Sequence, residues 1–476
     1  MTPGRASLAT GAALLGLLAA ATTGTPRAAA QGPPNVLLLV LEDTPASAFV
    51  LMPHVRQRIV ARGLSFANAF AVSPLSAPAR ASILTGLYPH NHGVPTNAPP
   101  RGSYRRFVES GREAATLATW LAAAGYRTGL VGKYMNFYPM RVEAPRHVPP
   151  GWNSWFATAF PEAYYEFEVV HDGRGASFGD REQDYQTDAL RDAALRFLAA
   201  DAGKPFVLYL APFAPHDPAI PADRHDALFP DLKAPRSDAF DEEDVADKPA
   251  WLRNQPRVDA AALDERQRQR ARSLQAVDEM VEAVCAALEA SGRLERTFVL
   301  LTSDGGDQQG DHRLVGPVGD PYDASVRVPL VVRGPEIAPG TTSDALALQI
   351  DLASTIAALA GAAPTIEVDG RSLARLLQGR ATLRDWRKDL LIEQARDEGR
   401  LGERGGEPAG VPDYAALRST EWLYVEHASG ERELYDLALD PQQLDSLHAL
   451  AAPELLASLS ARLAALRACA GESCRR

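Results

Sequence analysis

The sequence predicts an α/β fold: a mostly parallel mixed sheet flanked by helices, with a smaller α+β subdomain at the C-terminal end. Three observations carry this expectation. From residue 34 onward, strand-like and helix-like segments alternate, as they do where parallel strands are joined by crossover helices. Residues 35–41 form an almost unbroken apolar run, which suits a central strand buried on both faces. After a stretch rich in Gly, Arg and Pro at 394–412, which reads as a flexible loop, the pattern changes to short strand-like pieces.

The run at 35–41 ends in Glu42-Asp43, so two carboxylates sit at a strand's carboxyl end, where open α/β sheets gather their ligand sites. Helical spacing covers 113–124 and stops at Gly125, and 127–131 reads as a strand. An amphipathic helix at 184–199 leads into an apolar strand at 205–211. Residues 221–258, rich in Asp, Pro and Arg, read as a surface excursion. A long helix at 260–290 runs into a strand at 297–302. Beyond the 394–412 loop come strand pieces at 423–425 and 434–436, then a helix at 453–468. No internal repeat is visible. The expected boundaries are 33–380 for the main domain and 381–476 for the C-terminal subdomain.

The chain has 476 residues, 46% of them hydrophobic, enough for a large core, and length alone suggests two or three domains. A charged fraction of 23% excludes disorder by composition, and a net charge of −11 without a basic run argues against a nucleic-acid partner. Arg5, the apolar stretch 8–21 and Ala28-Ala29-Ala30 read as a secretory signal over residues 1–30, cleaved near Ala30. The protein is then secreted or periplasmic, with no stable membrane anchor; an uncleaved anchor is the alternative. Cys469 and Cys474 are close enough to close a small loop in an oxidising compartment, whereas Cys285 lies in a helical pattern as a small buried hydrophobe.

The chemistry centres on Ser76-Ala77-Pro78-Ala79-Arg80, followed by Thr85-Gly86 and the segment Tyr88 to Gly93. A hydroxyl four residues before an arginine, at the mouth of a helix, can present a nucleophile. The helix N-terminus favours negative charge there, and the guanidinium can hold an oxyanion. Taken alone, Ser76 reads more readily as a helix cap. Lys133 could equally be a surface-turn lysine, His216 between Pro215 and Pro218 a turn residue, and Glu42-Asp43 a solvated strand end.

This stretch resembles the sulfatase signature, in which a cysteine or serine, any residue, proline, a small residue and arginine precede a helix ending in Thr-Gly. Other segments resemble the same family in the same order. They are Pro34 to Asp43, Gly125-Tyr126-Arg127-Thr128 with Gly132-Lys133-Tyr134-Met135-Asn136, Ala214-Pro215-His216, Thr302-Ser303-Asp304, Arg327 to Leu330, and Glu433 to Leu437. The resemblance runs from about residue 34 to the end. Gly132 to Asn136, Pro89 to His92 and His147 to Trp152 are most similar to the N-acetylglucosamine-6-sulfatase branch.

The resemblance implies an alkaline-phosphatase-type fold and a sulfuric ester hydrolase acting on sulfated sugars or glycans. It implies a formylglycine made from Ser76 by a serine-directed maturase. A divalent cation, calcium by the oxygen-rich donor set, is implied on Glu42, Asp43, Ser76 and Asp304. Arg80, Lys133 and His216 join Ser76 as catalytic residues, with Arg80 steadying the hydrate, Lys133 pairing a sulfate oxygen, and His216 protonating the leaving group. His92, Asn136, His312 and Arg313 are implied as substrate contacts.

Four positions depart from the family pattern. Glu42 stands where aspartate is usual, and Gly305 follows Asp304 where a side-chain ligand is usual, leaving water or Asp307 to fill the place. Val318 stands where most relatives carry lysine, with Arg313 the nearby cation, and residue 76 is serine. These departures leave two alternatives open: a degenerate glycan binder, and a phosphoester hydrolase using Ser76 itself.

Overall fold

The computed structural model describes residues 1, 2, 4, 32–139, 146–200, 203–396 and 410–475. A ten-stranded sheet organises the chain. Its strands are β1 (Asn35–Leu41), β2 (Leu64–Phe70), β3 (Arg127–Gly132), β4 (Ser154–Thr158), β5 (Glu168–His171), β6 (Arg174–Ser177), β7 (Phe206–Ala211) and β8 (Thr297–Ser303). After a two-stranded ribbon, β9 (Gln308–Gln309) with β10 (Val315–Gly316), the sheet is completed by β11 (Leu330–Arg333) and β12 (Thr341–Leu348). The order is β12-β2-β11-β8-β1-β7-β3-β4-β5-β6. Five neighbours, β8-β1-β7-β3-β4, run parallel, and β11 is the antiparallel insertion between β8 and β2.

Burial on both faces explains the apolar run of β1. Val36, Leu38 and Val40 enter one core, and Leu37, Leu39 and Leu41 enter the other. The first core is roofed by the helices Ser76–Thr85, Leu117–Ala123 and Ile350–Ala360, the second by Gln186–Ala199 and Ala260–Ala290. A third core joins Phe70, Val72 and Tyr88 to a four-stranded antiparallel sheet, β13 (Asp389–Gln394), β14 (Tyr414–Ser419), β15 (Trp422–His427) and β16 (Arg432–Asp436). The helix Pro453–Arg467 covers that sheet through Leu459 and Leu463. Residues from Gly32 onward form a single unit, in place of the two or three domains that length alone suggests.

The fold class is as the sequence predicts, and several elements are longer or shorter. Helical spacing at 113–124 resolves into a single 3-10 turn, Arg112–Ala114, and a helix that starts only at Leu117, where Thr116 and Thr119 form a capping box. The excursion at 221–258 runs over the surface as expected and is anchored by the buried residues Ala222, His225, Trp251 and Leu252. Cys469 and Cys474 are joined by a disulfide, and Cys285 is a buried free thiol. Most of the 394–412 loop and nearly all of the leader at 1–30 lie outside the described residues. No helix among the described residues is long and apolar enough to cross a membrane.

Candidate active site

The carboxyl ends of four parallel strands deliver the site. Register pairs Leu41 of β1 with Ser303 of β8, so Glu42 and Asp304 emerge side by side. Asp43 follows in the left-handed region at φ 42°, a conformation aspartate tolerates better than most residues. Its N–H donates to Asp304 Oδ1 at 3.1 Å. Lys133 follows β3 directly. A Cβ at the preceding Gly132, where φ is 107°, would lie 2.0 Å from the Ala211 carbonyl, so only glycine lets the lysine turn in. His216 leaves the loop after β7.

Ser76 opens its helix and does not cap it. Leu75 occupies the cap with no side-chain bond, and Ser76 Oγ donates instead to Glu42 Oε1 at 3.2 Å. The reading of Ser76 as a simple cap is therefore corrected. One turn on, Arg80 is wholly buried and spans both acids, with Nη2 2.5 Å from Glu42 Oε2 and Nε 2.9 Å from Asp304 Oδ2. Its third bond goes to the Lys133 carbonyl at 2.9 Å. Lys133 Nζ donates to Glu42 Oε1. Glu42, Asp43 and His216 each bring one ligand atom to within 4.8 Å of the others.

Electrostatics divide the acids. Burial opposes ionisation of Glu42, but Lys133, Arg80 and His216 outweigh it and hold its carboxyl far below the usual range. Asp43 is pushed well up by burial and by the charges of Asp304 and Glu42, and Asp304 is pushed up by burial and Glu42. A cluster of acids that repel one another, with raised affinity for positive charge, fits a divalent cation with oxygen ligands. Gly305 leaves space beside it: a Cβ there would stand 3.2 Å from Asp43 Oδ1. Asp307 does not fill that place. Arg266 grips it with Nη2 at 2.6 Å and Nη1 at 3.0 Å, and Arg270 Nε adds a contact at 3.3 Å.

These two arginines, from the helix Ala260–Ala290, are the site residues that sequence reasoning missed. Arg270 also donates to the carbonyls of Asp43 at 2.5 Å and Pro215 at 2.9 Å, bracing two loops of the site at once. Arg266 Nε reaches Asp217 at 2.9 Å, beside His216. Arg313 is not the nearby cation: its guanidinium donates to the carbonyls of Glu242 and Glu243. Val318 packs on the C-terminal core.

The expected substrate contacts fare unequally. His92 is a correction. It is 1% exposed, accepts Val94 N–H at Nδ1 (3.1 Å) and donates from Nε2 to Ser82 Oγ (3.1 Å), so no ring nitrogen is left for a substrate. His312 is also withdrawn, buried with Nδ1 2.6 Å from Glu242 Oε2 and its ring 4.4 Å from that of Tyr322. Asn136 is half-buried, with its Oδ1 unpartnered.

A serine at a helix mouth, buried carboxylates, an arginine, a lysine and a histidine, gathered at the ends of parallel strands, define a hydrolase of anionic esters. The sulfatase family profile matches residues 34–362, and that of the N-sulphoglucosamine sulphohydrolase C-terminal region matches 318–469. The chain belongs to the sulfatase family and is a sulfuric ester hydrolase. It is 34% identical to human (Homo sapiens) N-acetylglucosamine-6-sulfatase over 93% of its own length and 86% of that protein. It is 30% identical to an arylsulfatase of Volvox carteri over 94% of this chain and 76% of that one. Among solved structures, one in complex with its substrate D-glucosamine-2-N,6-O-disulfate superposes with a TM-score of 0.77 at 23% identity, covering 91% of this chain and 97% of that one. The phosphonate monoester hydrolase of Agrobacterium radiobacter gives 0.70 at 22% identity, over 91% and 95%.

Proposed function

We propose that this enzyme removes sulfate from sulfated amino sugars, 6-O-sulfated N-acetylglucosamine foremost, through a formylglycine formed from Ser76. The observation that carries the reading is the place of Ser76 Oγ: first residue of its helix, 3.2 Å from Glu42, inside the shell of Arg80 and Lys133. The relatives named for N-acetylglucosamine-6-sulfatase activity match over most of the chain and support the choice of sugar.

The hydrated aldehyde of a formylglycine supplies two hydroxyls, one to attack sulfur and one to help expel sulfate, where serine has a single one. Glu42, Asp43, Asp304 and the oxygen on residue 76 would hold the cation, calcium by its liking for carboxylate oxygen. Such a cation supplies positive charge to a sulfate oxygen. Arg80 bridges Glu42 and Asp304, and Lys133 offers the second positive charge to the ester. His216 donates its Nδ1–H to the Asp217 carbonyl at 2.8 Å, so it is the doubly protonated imidazolium, with a second proton on Nε2, that would pass a proton to the departing sugar oxygen.

The test is peptide mass spectrometry across residue 76, on protein made with and without a serine-directed radical maturase. Sulfate-ester turnover is expected only where the peptide has lost two hydrogens. Turnover of sulfate esters by a protein with intact Ser76 would defeat the mechanism. Turnover of phosphate esters alone, with intact Ser76, would establish the serine nucleophile instead.

A further inference from the structure

Ser76 and Lys133 meet on one oxygen, Glu42 Oε1, and a loop at residues 159–167, between β4 and β5, ties Lys133 to His216. Register starts that loop beside the site. Gly132 of β3 pairs with Ala157 of β4, so Lys133 and Thr158 leave neighbouring parallel strands at the same edge, about 5 Å apart. Phe160 N–H then donates to the Tyr138 carbonyl at 2.7 Å, which holds the loop on the segment that follows Lys133. Further along, Tyr164 packs its ring 5.2 Å from that of Phe213 and donates its hydroxyl to the His216 carbonyl at 2.5 Å. Phe213 in turn carries the stacked ring of His216 at 4.8 Å and has Lys133 Nζ 5.9 Å from its centre. Residues 159–164 thus wall the site on the side of Lys133 and His216.

Two side chains of this wall reach solvent. Phe160 is 42% exposed, although the ring of Phe137 stacks against it at 4.2 Å. Phe137 is itself partly exposed and is held at φ 65°, a left-handed conformation that is uncommon for a bulky residue and gathers at functional sites. One exposed phenylalanine needs no explanation, but a stacked pair on strained backbone beside Lys133 does. Two residues beyond Phe160, Glu162 is partly exposed, and no described residue forms a hydrogen bond or ion pair with its carboxylate. It still acts on the site: burial opposes the charge of Lys133, and Glu42 and Glu162 together outweigh that burial.

An aromatic face beside an unengaged carboxylate suits a pyranose ring. The axial C–H bonds of such a ring form an apolar face that covers a phenylalanine. Its hydroxyl and amide N–H groups donate to carboxylate oxygen.

We propose that this wall binds the sugar that carries the ester, with Phe160, backed by Phe137, stacked on the ring and Glu162 receiving a hydroxyl or amide N–H. The proposal rests on the sulfated-sugar reading for its link to turnover, and sugar binding is measurable without turnover. Calorimetry on protein made without a maturase compares two probes, 6-sulfated N-acetylglucosamine and inorganic sulfate, the second of which reads the anion site alone. The affinity for the sugar ester relative to sulfate is expected to fall roughly five- to tenfold in Phe160→Ala and roughly fivefold in Glu162→Gln. A wild type that does not bind the sugar ester, or a ratio that neither variant changes, would overturn the wall. Turnover of the ester by matured Phe160→Ala and Glu162→Gln at the wild-type KM would also overturn it, while keeping the proposed function. Sugar binding that depends on both residues, in a protein whose matured form leaves the ester intact, would sink the proposed function and keep the wall.

Discussion

Arg80 and His92 lie twelve residues apart, and both are buried, yet opposite physics keeps them there. Arg80 stays charged because burial is outweighed by Asp304 and Glu42, which raise its affinity for the proton. His92 stays neutral because burial, aided by His90 and Arg112, lowers its pKa to about 3 against an opposing hydrogen bond to Pro78. The sign of the resulting pH dependence follows. Unfolded, the imidazole titrates near 6.5; folded, it does not take the proton until far lower, so the unfolded chain binds more protons in between. Stability from this group is complete above pH 6.5 and is lost as pH falls toward 3. From pH 6.5 to 5 the loss amounts to about 2 kcal/mol. His92→Gln should therefore show a flatter acid limb than the wild type when urea midpoints are measured across that range. Identical limbs in the two proteins would show that His92 does not titrate on unfolding.

The long helix Ala260–Ala290 shows what can and cannot be read from a sequence at the level of the element. Its limits are evident from spacing alone, and its role is not. Arg266, Arg268, Arg270 and Arg272 alternate along one stretch, and nothing in that pattern tells which pair faces inward. The fold selects Arg266 and Arg270, one turn apart, because the loops after β1 and β7 pass beneath that face. By contrast Glu42, Asp43, Ser76, Arg80, Lys133 and Asp304, which the family resemblance singles out in short motifs, are gathered by the fold at strand ends and a helix mouth. His92 and His312 misled because a motif records which residue is present and not which way it turns. Arg270→Lys is expected to lower kcat by roughly one to two orders of magnitude with KM little changed. A lysine cannot hold the carbonyls of Asp43 and Pro215 together, whereas Arg266 still holds Asp307. A change confined to KM would assign Arg270 to substrate binding instead.

At the scale of the whole molecule, the C-terminal sheet is part of the same body as the main sheet. Phe70 and Val72, at the end of β2, share a core with β13 to β16, and the Cys469 carbonyl next to the disulfide receives His90 and Asn91. That closure reaches back to the first residue of the Ser76–Thr85 helix, every residue of which is buried. Ser76 itself is 9% exposed, so another enzyme has no purchase on it once the chain has closed. On the proposed mechanism, conversion of this serine has to precede closure of the chain around it. That mechanism sets a deadline: a chain that folds first misses its activation. Maturase added to the folded protein should leave the mass of the Ser76 peptide unchanged, and the same treatment of the urea-unfolded chain should convert it. Conversion of both at equal rates would require that the first turn of this helix opens readily in the folded enzyme. On the proposed mechanism, a cell making this protein decides its activity by a race between two processes, modification and folding, run once per molecule.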